Sequence, residues 1–336
     1  MATIHDVAQR AGVSPITVSR VINHSGYASR DTRERVEAAV IELGYVPNRL
    51  ARSLRSKRTH TLALVLTDIT NPFFTTVARG VEDTASDAGY MVIFCNTDES
   101  ESEEKKYLQV LLQQQVDGIL LVPARNTPDS IDLIRKQNTP VVVLDRRLSP
   151  GVDVDTVRCE NELGAYQLVR LLIELGHQRL ALLSGPLGVS TAEDRLAGYR
   201  RAMHEAGFAD ESQVIIYGQF NQASGFEMMH QILELDPRPT AIFAANNLIG
   251  IGALHAAQEA GLRVPEDVAM VEFDDLPPTL LTSPFFTVAA QPAYDMGQRA
   301  TQLLLARLTT DASAPCQEII LPTELIVRQS SGSPLN

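Results

Sequence analysis

Residues 1–60 constrain this chain most, because they carry a pattern that the rest does not share. Ile4, Val7, Ala8 and Ala11 recur at helical spacing; Gly12-Val13-Ser14 interrupts; Val18, Val21 and Ile22 then resume it. Thr3 suits an N-cap, with Asp6 three residues on. Gly12 breaks the first helix, about Ile4 to Ala11. Ser14 caps the second, with Pro15 at its first position, where a missing N–H costs nothing. A third helix is expected over about Arg30 to Leu43. Its Val36, Ala39, Val40 and Leu43 close a three-helix core, and Gly44 ends it. Two short helices around a tight turn, followed by a third and a basic tail, form a small all-α helix-turn-helix domain. Ile16, Thr17, Ser19, Arg20 and Asn23 are left facing outward. Arg20 can contact a guanine edge, Thr17 and Ser19 suit phosphates or base edges, and Ile16 suits a thymine methyl. The competing reading is a small helical domain that packs against something else.

Charge separates this segment from the rest of the chain. Residues 1–60 hold ten Lys/Arg against five Asp/Glu, whereas the remainder holds 19 against 36, within a net charge of -12. A small basic module on a large acidic body leaves one surface for phosphate, since the body is repelled by it. At 336 residues, two or three domains are expected. With 44% hydrophobic residues the chain is globular. No run approaches the ~18 apolar residues of a membrane span, and MATIHDVAQR has no apolar leader core. Cys95, Cys159 and Cys316 lack CxxC spacing and read as buried, reduced thiols. A cytoplasmic, nucleoid-associated protein without metal or cofactor is expected.

The first segment resembles the LacI family of transcriptional regulators. The residues that carry the resemblance are Thr3-Ile4-His5-Asp6-Val7-Ala8, Ala11-Gly12-Val13-Ser14, Thr17 to Asn23, Val36, Leu43 to Asn48, and Ala51-Arg52-Ser53-Leu54. The resemblance implies a helix-turn-helix domain over 1–46 and a hinge helix and linker over 47–60. The hinge helix forms only on operator DNA. Leu54 there wedges into the central base step of the minor groove. RLARSLRS is indeed too short for a stable isolated helix, and Leu54 among arginines fits an apolar wedge. The expected DNA-contacting set is Thr3, Ser14, Pro15, Ile16, Thr17, Ser19, Arg20, Asn23, His24, Tyr45, Asn48, Ala51, Arg52, Leu54 and Arg55.

Beyond Thr61 apolar runs alternate with amphipathic stretches. Strands are expected at Leu62–Leu66, Met91–Phe94, Gly118–Val122, Val141–Leu144, Leu180–Leu183, Val214–Ile216, Ala241–Phe243 and Val268–Val271. Such alternation implies parallel sheets covered by helices on both faces, with ligands at the carboxyl ends of strands. This body, residues 61–336, resembles the periplasmic-binding-protein-like α/β core of the same family, two doubly wound parallel-sheet lobes. The resemblance implies lobe one over about 61–160 and 290–322, and lobe two over about 161–289 and 323–330. Three crossings between them permit a hinge.

Polar and aromatic residues come after several of these strands. Asn71, Phe73, Phe74, Asp145, Arg146, Arg195, Phe220, Asn246, Asp274 and Gln291 are similar, in order, to the pocket of bacterial ribose-binding proteins. By that resemblance the polar members hydrogen-bond a sugar and the phenylalanines enclose it. Singly, Asp145-Arg146 reads equally as a surface salt bridge and Phe73-Phe74 as core. Two acids and two arginines cancel, which favours a neutral polyol over a sugar acid or phosphate. The implied effector is a neutral sugar, D-ribose first, with a hexose or ketose as alternatives. Two departures from the family pattern stand out: Asn247 where Asp is usual, and Glu272 where Gly is common. The glutamate is expected to perturb the pocket rim or a subunit contact.

The expected function is a repressor of sugar-utilisation genes, a homodimer on palindromic operator DNA with no membrane partner. QSSGSPLN after Arg328 has no heptads, so a dimer is expected rather than a coiled-coil tetramer. An enzyme is disfavoured, because GxGxxG, GxxxxGK[ST] and HExxH are all missing. A solute-binding protein would need a leader and no DNA module. A phosphoprotein-controlled regulator is the third rival.

Overall fold

The computed structural model describes residues 2–23, 25–46, 58–209, 213–277, 284–309 and 314–332. The chain divides into two compact units, residues 1–59 and 60–336.

The first unit is built from local signals. Helix α1 (Ile4–Ala11) opens on a reciprocal capping box: Thr3 N–H donates to Asp6 Oδ2 (2.8 Å) and Asp6 N–H to Thr3 Oγ1 (3.3 Å). It closes on Gly12 at φ 65°, a left-handed conformation that glycine adopts without a Cβ penalty. Helix α2 (Pro15–Ile22) is capped by Ser14, and α3 (Arg30–Glu42) by Ser29. Val7, Ala8, Ala11, Val18, Val21, Val36 and Ala39 form the buried core, with Ile22, Val40, Leu43 and Tyr45 packed around it.

The second unit holds two six-stranded sheets. In chain order come β1 (Thr61–Leu66), α4 (Pro72–Asp87), β2 (Met91–Asn96), α5 (Glu101–Gln113), β3 (Gly118–Leu121), α6 (Asp129–Arg135), β4 (Val141–Leu144) and β5 (Asp155–Cys159). The chain then passes to the second sheet with α7 (Asn161–Glu174), β6 (Leu180–Ser184), α8 (Ser190–Glu205), β7 (Val214–Tyr217), α9 (Gln222–Leu233), β8 (Ala241–Ala244), α10 (Asn247–Glu259), β9 (Ala269–Phe273) and β10 (Thr287–Ala290). It returns with α11 (Ala293–Thr309) and β11 (Glu318–Leu321), and crosses once more to β12 (Glu324–Ile326) and a turn of 3-10 helix (Gln329–Ser331).

Strand order is β11-β5-β4-β3-β1-β2 in one lobe and β12-β10-β9-β8-β6-β7 in the other. Among the described residues only β12, antiparallel to β10, breaks the parallel pairing. The central strands are buried on both faces, which is why they read as unbroken apolar runs.

The eight expected strands are present, seven of them with different ends and β4 with the expected ones. β5, β10, β11 and β12 were not among the eight. β5 interrupts its pattern with Asp155 and Arg158, β11 alternates as an exposed edge, and β12 has three residues. β9 runs past Val271 because Glu272 is a strand residue, buried with its neighbours. Gly250 on α10 makes room for it: a Cβ there would lie 1.9 Å from Glu272 Oε2. Glu272 therefore sits inside lobe two and does not line the cleft, contrary to the expected effect on the pocket rim. Burial, reinforced by Asp274 and Asp275, raises its carboxyl pKa well above the ordinary range.

Candidate functional site

The parallel strands of each lobe end toward a shared cleft, and the loops after them supply its walls. Asp145 follows β4 and Asp274 follows β9, both left-handed, at φ 64° and 72°. That conformation is strained for a non-glycine residue, so the surrounding ladder must hold it. The same bond does so in each lobe. Asp145 N–H donates to Val157 O (2.9 Å), and Asp274 N–H to Ala289 O (3.0 Å).

Asn71 caps α4, its Oδ1 accepting from Phe73 N–H (3.0 Å) and, across the lobes, from Asn247 Nδ2 (3.1 Å). Asn247 thus replaces the usual carboxylate with an inter-lobe hydrogen bond. Asn246 caps α10 through Ile249 N–H (2.8 Å), which leaves its NH2 group for a ligand. Arg195, on the first turns of α8, donates from Nε to Asn161 Oδ1 (2.9 Å) and from Nη1 to Ala245 O (2.6 Å). It stacks 3.8 Å from the Phe273 ring centroid and lies 3.8 Å from Asp274 Oδ2. Gln291 Nε2 donates to Asp274 Oδ1 (2.5 Å). Phe73 and Phe74 meet edge to face with centroids 5.0 Å apart.

All ten residues expected in the pocket line one cavity of about 370 Å3. Asp145 Oδ1, Arg146 Nε, Gln291 Oε1 and Thr67 Oγ1 are buried there without a hydrogen-bond partner. Each such group costs ~1–3 kcal/mol until something pairs with it. A ring of hydroxyls, each both donor and acceptor, is the matching chemistry. Burial pushes the Asp145 carboxyl up to about 6, against the pull of Arg146 and Arg195 and with the push of Asp274 and Glu99. Burial raises Asp274 too, while Arg195 and Gln291 restrain it.

The cavity also takes in Thr67, Asp68, Thr70, Asp98, Glu99, Thr191, Gln219 and Asn221, which the sequence reading missed. The expected cancellation of two acids by two arginines is therefore corrected: five carboxylates line the cleft against two guanidiniums. Asp98 and Glu99 come after β2, which runs to Asn96 instead of Phe94. The rule that ligands gather at strand carboxyl ends would have found them with the right strand end.

On the first unit, Ile16 is 66% exposed and Arg20 is exposed on the same helix. Arg10, Arg30 and Arg35 pair with Glu42, Glu34 and Asp31, whereas Arg20 makes no ion pair among the described residues. The Ser14 and Thr17 hydroxyls bond each other (2.9 Å), Ser19 is half-buried and Pro15 opens α2. Thr3 is engaged in its capping box and Asn23 Nδ2 donates back to Ser19 O (2.7 Å), so both are partly committed inside the unit. Tyr45 packs on the core. Tyr27, 91% exposed, was not foreseen. His24, Asn48, Ala51, Arg52, Leu54 and Arg55, and with them most of the expected hinge helix, lie outside the described residues. Among the described residues no helix is long and apolar enough to cross a membrane.

Comparison with known proteins matches both units. Residues 3–48 fit the model of bacterial regulatory proteins of the lacI family. Residues 59–328 fit that of periplasmic binding proteins and the sugar binding domain of the LacI family. The ribose operon repressor of Halalkalibacterium halodurans is 37% identical over 98% of this chain and 97% of its own. The transcriptional repressor PurR of Haemophilus influenzae is 35% identical over 98% of each chain. Among solved structures, a lac repressor dimer bound to operator and the anti-inducer ONPF has a TM-score of 0.86 at 30% identity, covering 98% of this chain and 99% of that one. A LacI family regulator from Enterococcus faecium with bound ribose has a TM-score of 0.73 at 29% identity, covering 82% and 100%.

Proposed function

The chain belongs to the LacI family of bacterial regulatory proteins, and we propose that it represses sugar-utilisation genes under control of a neutral sugar, D-ribose, bound in the cleft. It is a DNA-binding repressor and not an enzyme, as its relatives are. The observation that carries the ribose reading is the convergence of all ten polar and aromatic pocket residues, from both lobes, on one cavity. The excess of carboxylates there argues against a sugar acid or phosphate. The name of the Halalkalibacterium relative and the ribose held by the Enterococcus faecium regulator support the same sugar.

The protein works in the cytoplasm, on the nucleoid, as a homodimer, because one palindromic operator needs two helix-turn-helix units. Arg20 and Ile16 read base edges in the major groove. The segment around Leu54, within the 47–60 linker, wedges the minor groove. Sugar draws the lobes together and releases the operator. Linkage requires the reverse as well: operator lowers sugar affinity by the same factor.

A thermal-shift screen against neutral sugars, sugar acids, sugar phosphates and purines tests this. At ~100 times its dissociation constant a true effector adds ~2.7 kcal/mol of stability. A selective shift with D-ribose is expected. A shift only with a hexose, a ketose or a purine removes ribose and leaves the regulator. Leu54→Ala is expected to weaken operator binding with sugar binding intact.

A further inference from the structure

Arg146 is buried to 2% exposure, and its guanidinium is already partly engaged. Glu99 takes both terminal nitrogens: Nη1 donates to Oε2 (2.8 Å) and Nη2 to Oε1 (2.5 Å). Pro123 O takes a further bond from Nη1 (2.8 Å). Nε, 3.9 Å from Asp145 Oδ2, has no hydrogen-bond partner, and neither has Asp145 Oδ1, although both residues line the cavity. Of its five N–H groups, Arg146 therefore keeps Nε–H and the second Nη2–H for a ligand, beside one carboxylate oxygen. Its end-on fork, one of the two by which arginine grips carboxylates and phosphates, is taken, and its charge is matched by the Glu99 carboxylate. The backbone is shaped around this pairing. Asp98 and Glu99 are both left-handed, at φ 50° and 59°, and Glu99 N–H donates to Thr67 O (3.2 Å).

We propose that Glu99 is a specificity-determining residue of the cleft: by cancelling the charge of Arg146 and taking its end-on fork it restricts the site to neutral effectors. This deepens the sugar reading above and rests on that cleft being the effector site. A hydroxyl pair on adjacent carbons satisfies Nε–H and Asp145 Oδ1 together. A sugar acid finds the charge of Arg146 already cancelled and meets the carboxylates of Glu99, Asp145 and Asp274.

Removing Glu99 tests the proposal, because it bares a buried cation and leaves a space the size of a carboxylate. Wild type, Glu99→Ala and Glu99→Ala/Arg146→Ala would be melted in sodium formate and in sodium chloride of equal ionic strength. Formate is expected to raise the Tm of Glu99→Ala alone, and to restore at least ~10-fold of its lost D-ribose affinity by refilling the Arg146 fork. A Glu99→Ala protein indifferent to formate, or a wild type that responds as much, overturns the proposal. Should Glu99→Ala not fold, Glu99→Gln carries the test. Its preference for D-ribose over D-ribonate should shrink at least ~10-fold, and an unchanged preference overturns the proposal. The formate measurement needs no sugar, so a wild type that ignores D-ribose refutes the ribose reading while the assignment of Glu99 is still decided.

Discussion

The two lobes are built alike and wired differently. Strand for strand, β1 to β5 repeat as β6 to β10, and each fourth strand ends in a left-handed aspartate held by the fifth. The residue after each aspartate differs. Asp145 is succeeded by Arg146, drawn inward and clamped by Glu99. Asp274 is succeeded by Asp275, drawn outward to accept both prongs of Arg328 at 2.7 Å. The fold thus supplies a carboxylate on either wall, and the neighbouring residue decides its electrostatic company. Asp274 receives its cation from Arg195 of its own lobe, at 3.8 Å, and an amide from Gln291.

The largest expected effect tests whether the two aspartates are equal partners. Asp274→Asn removes the charge beside Arg195 and turns one of the two acceptor oxygens, which face Arg195 and Gln291, into an NH2 donor. Hydrogen bonds to charged groups contribute ~1.5–3 kcal/mol each, so the effector should bind at least ~100-fold more weakly. Arg195→Ala should match it, with folding kept. Asp145→Asn should cost less, because Arg146 stays clamped by Glu99. Calorimetric titration of the three variants decides; equal losses at Asp145 and Asp274 would show that the neighbours do not matter.

Construction itself comes next. In each lobe the helix after the first strand meets a crossing helix through a glycine. A Cβ on Gly80 of α4 would lie 2.2 Å from Tyr294 O of α11, and one on Gly198 of α8 would lie 2.2 Å from Glu162 O of α7. Neither backbone can yield cheaply, so Gly80→Ala and Gly198→Ala should each cost ~1–3 kcal/mol of stability in urea unfolding. A loss in one lobe only would break the equivalence of the two.

How much of this the sequence disclosed depends on how far apart the cooperating residues lie. The first helices were legible to the residue, because Thr3 with Asp6, Ser14 with Pro15, and Gly12 act within one turn. Central strands were legible as apolar runs, while β5, β11 and β12 were hidden by charge, edge exposure or brevity. The ten pocket residues were readable through a family resemblance. The clamp on Arg146 was not, since Glu99 lies 47 positions away and means nothing without it. The Asn247–Asn71 bridge spans 176 positions and has no local signature at all.

Acidity sharpens the contrast between the walls by up to ~10-fold per pH unit. Burial raises Asp145 from 3.8 to about 6. Its contribution to stability is therefore complete below 3.8 and is lost as pH rises through 6. Effector binding runs the other way. Hydroxyls donate to the ionised carboxylate, so affinity should fall as pH drops below 6 even as the free protein is relieved of a buried charge. Asp145→Asn should flatten the titration to what Asp274 contributes. A wild-type affinity that stays constant from about pH 7.5 to about pH 5 would sink the idea that Asp145 binds the effector ionised.

The smallest effect concerns the second residue after each aspartate. Lobe two has Leu276 there; lobe one has Arg147, which reaches across the cleft to Asp194 on α8, with Nε at 3.1 Å and Nη2 at 2.8 Å from Oδ1. Its backbone N–H also donates to Ser190 Oγ (2.9 Å). Arg147 is 37% exposed, so water and salt screen the pair, which places it under ~1 kcal/mol. Arg147→Gln should therefore weaken effector binding less than ~5-fold at low salt and leave it unchanged at high salt. The backbone bond to Ser190 survives that substitution and keeps the lobes in register. A larger, salt-independent loss would make Arg147 a clasp on which closure of the lobes depends, and the asymmetry between the walls would then extend from charge to motion.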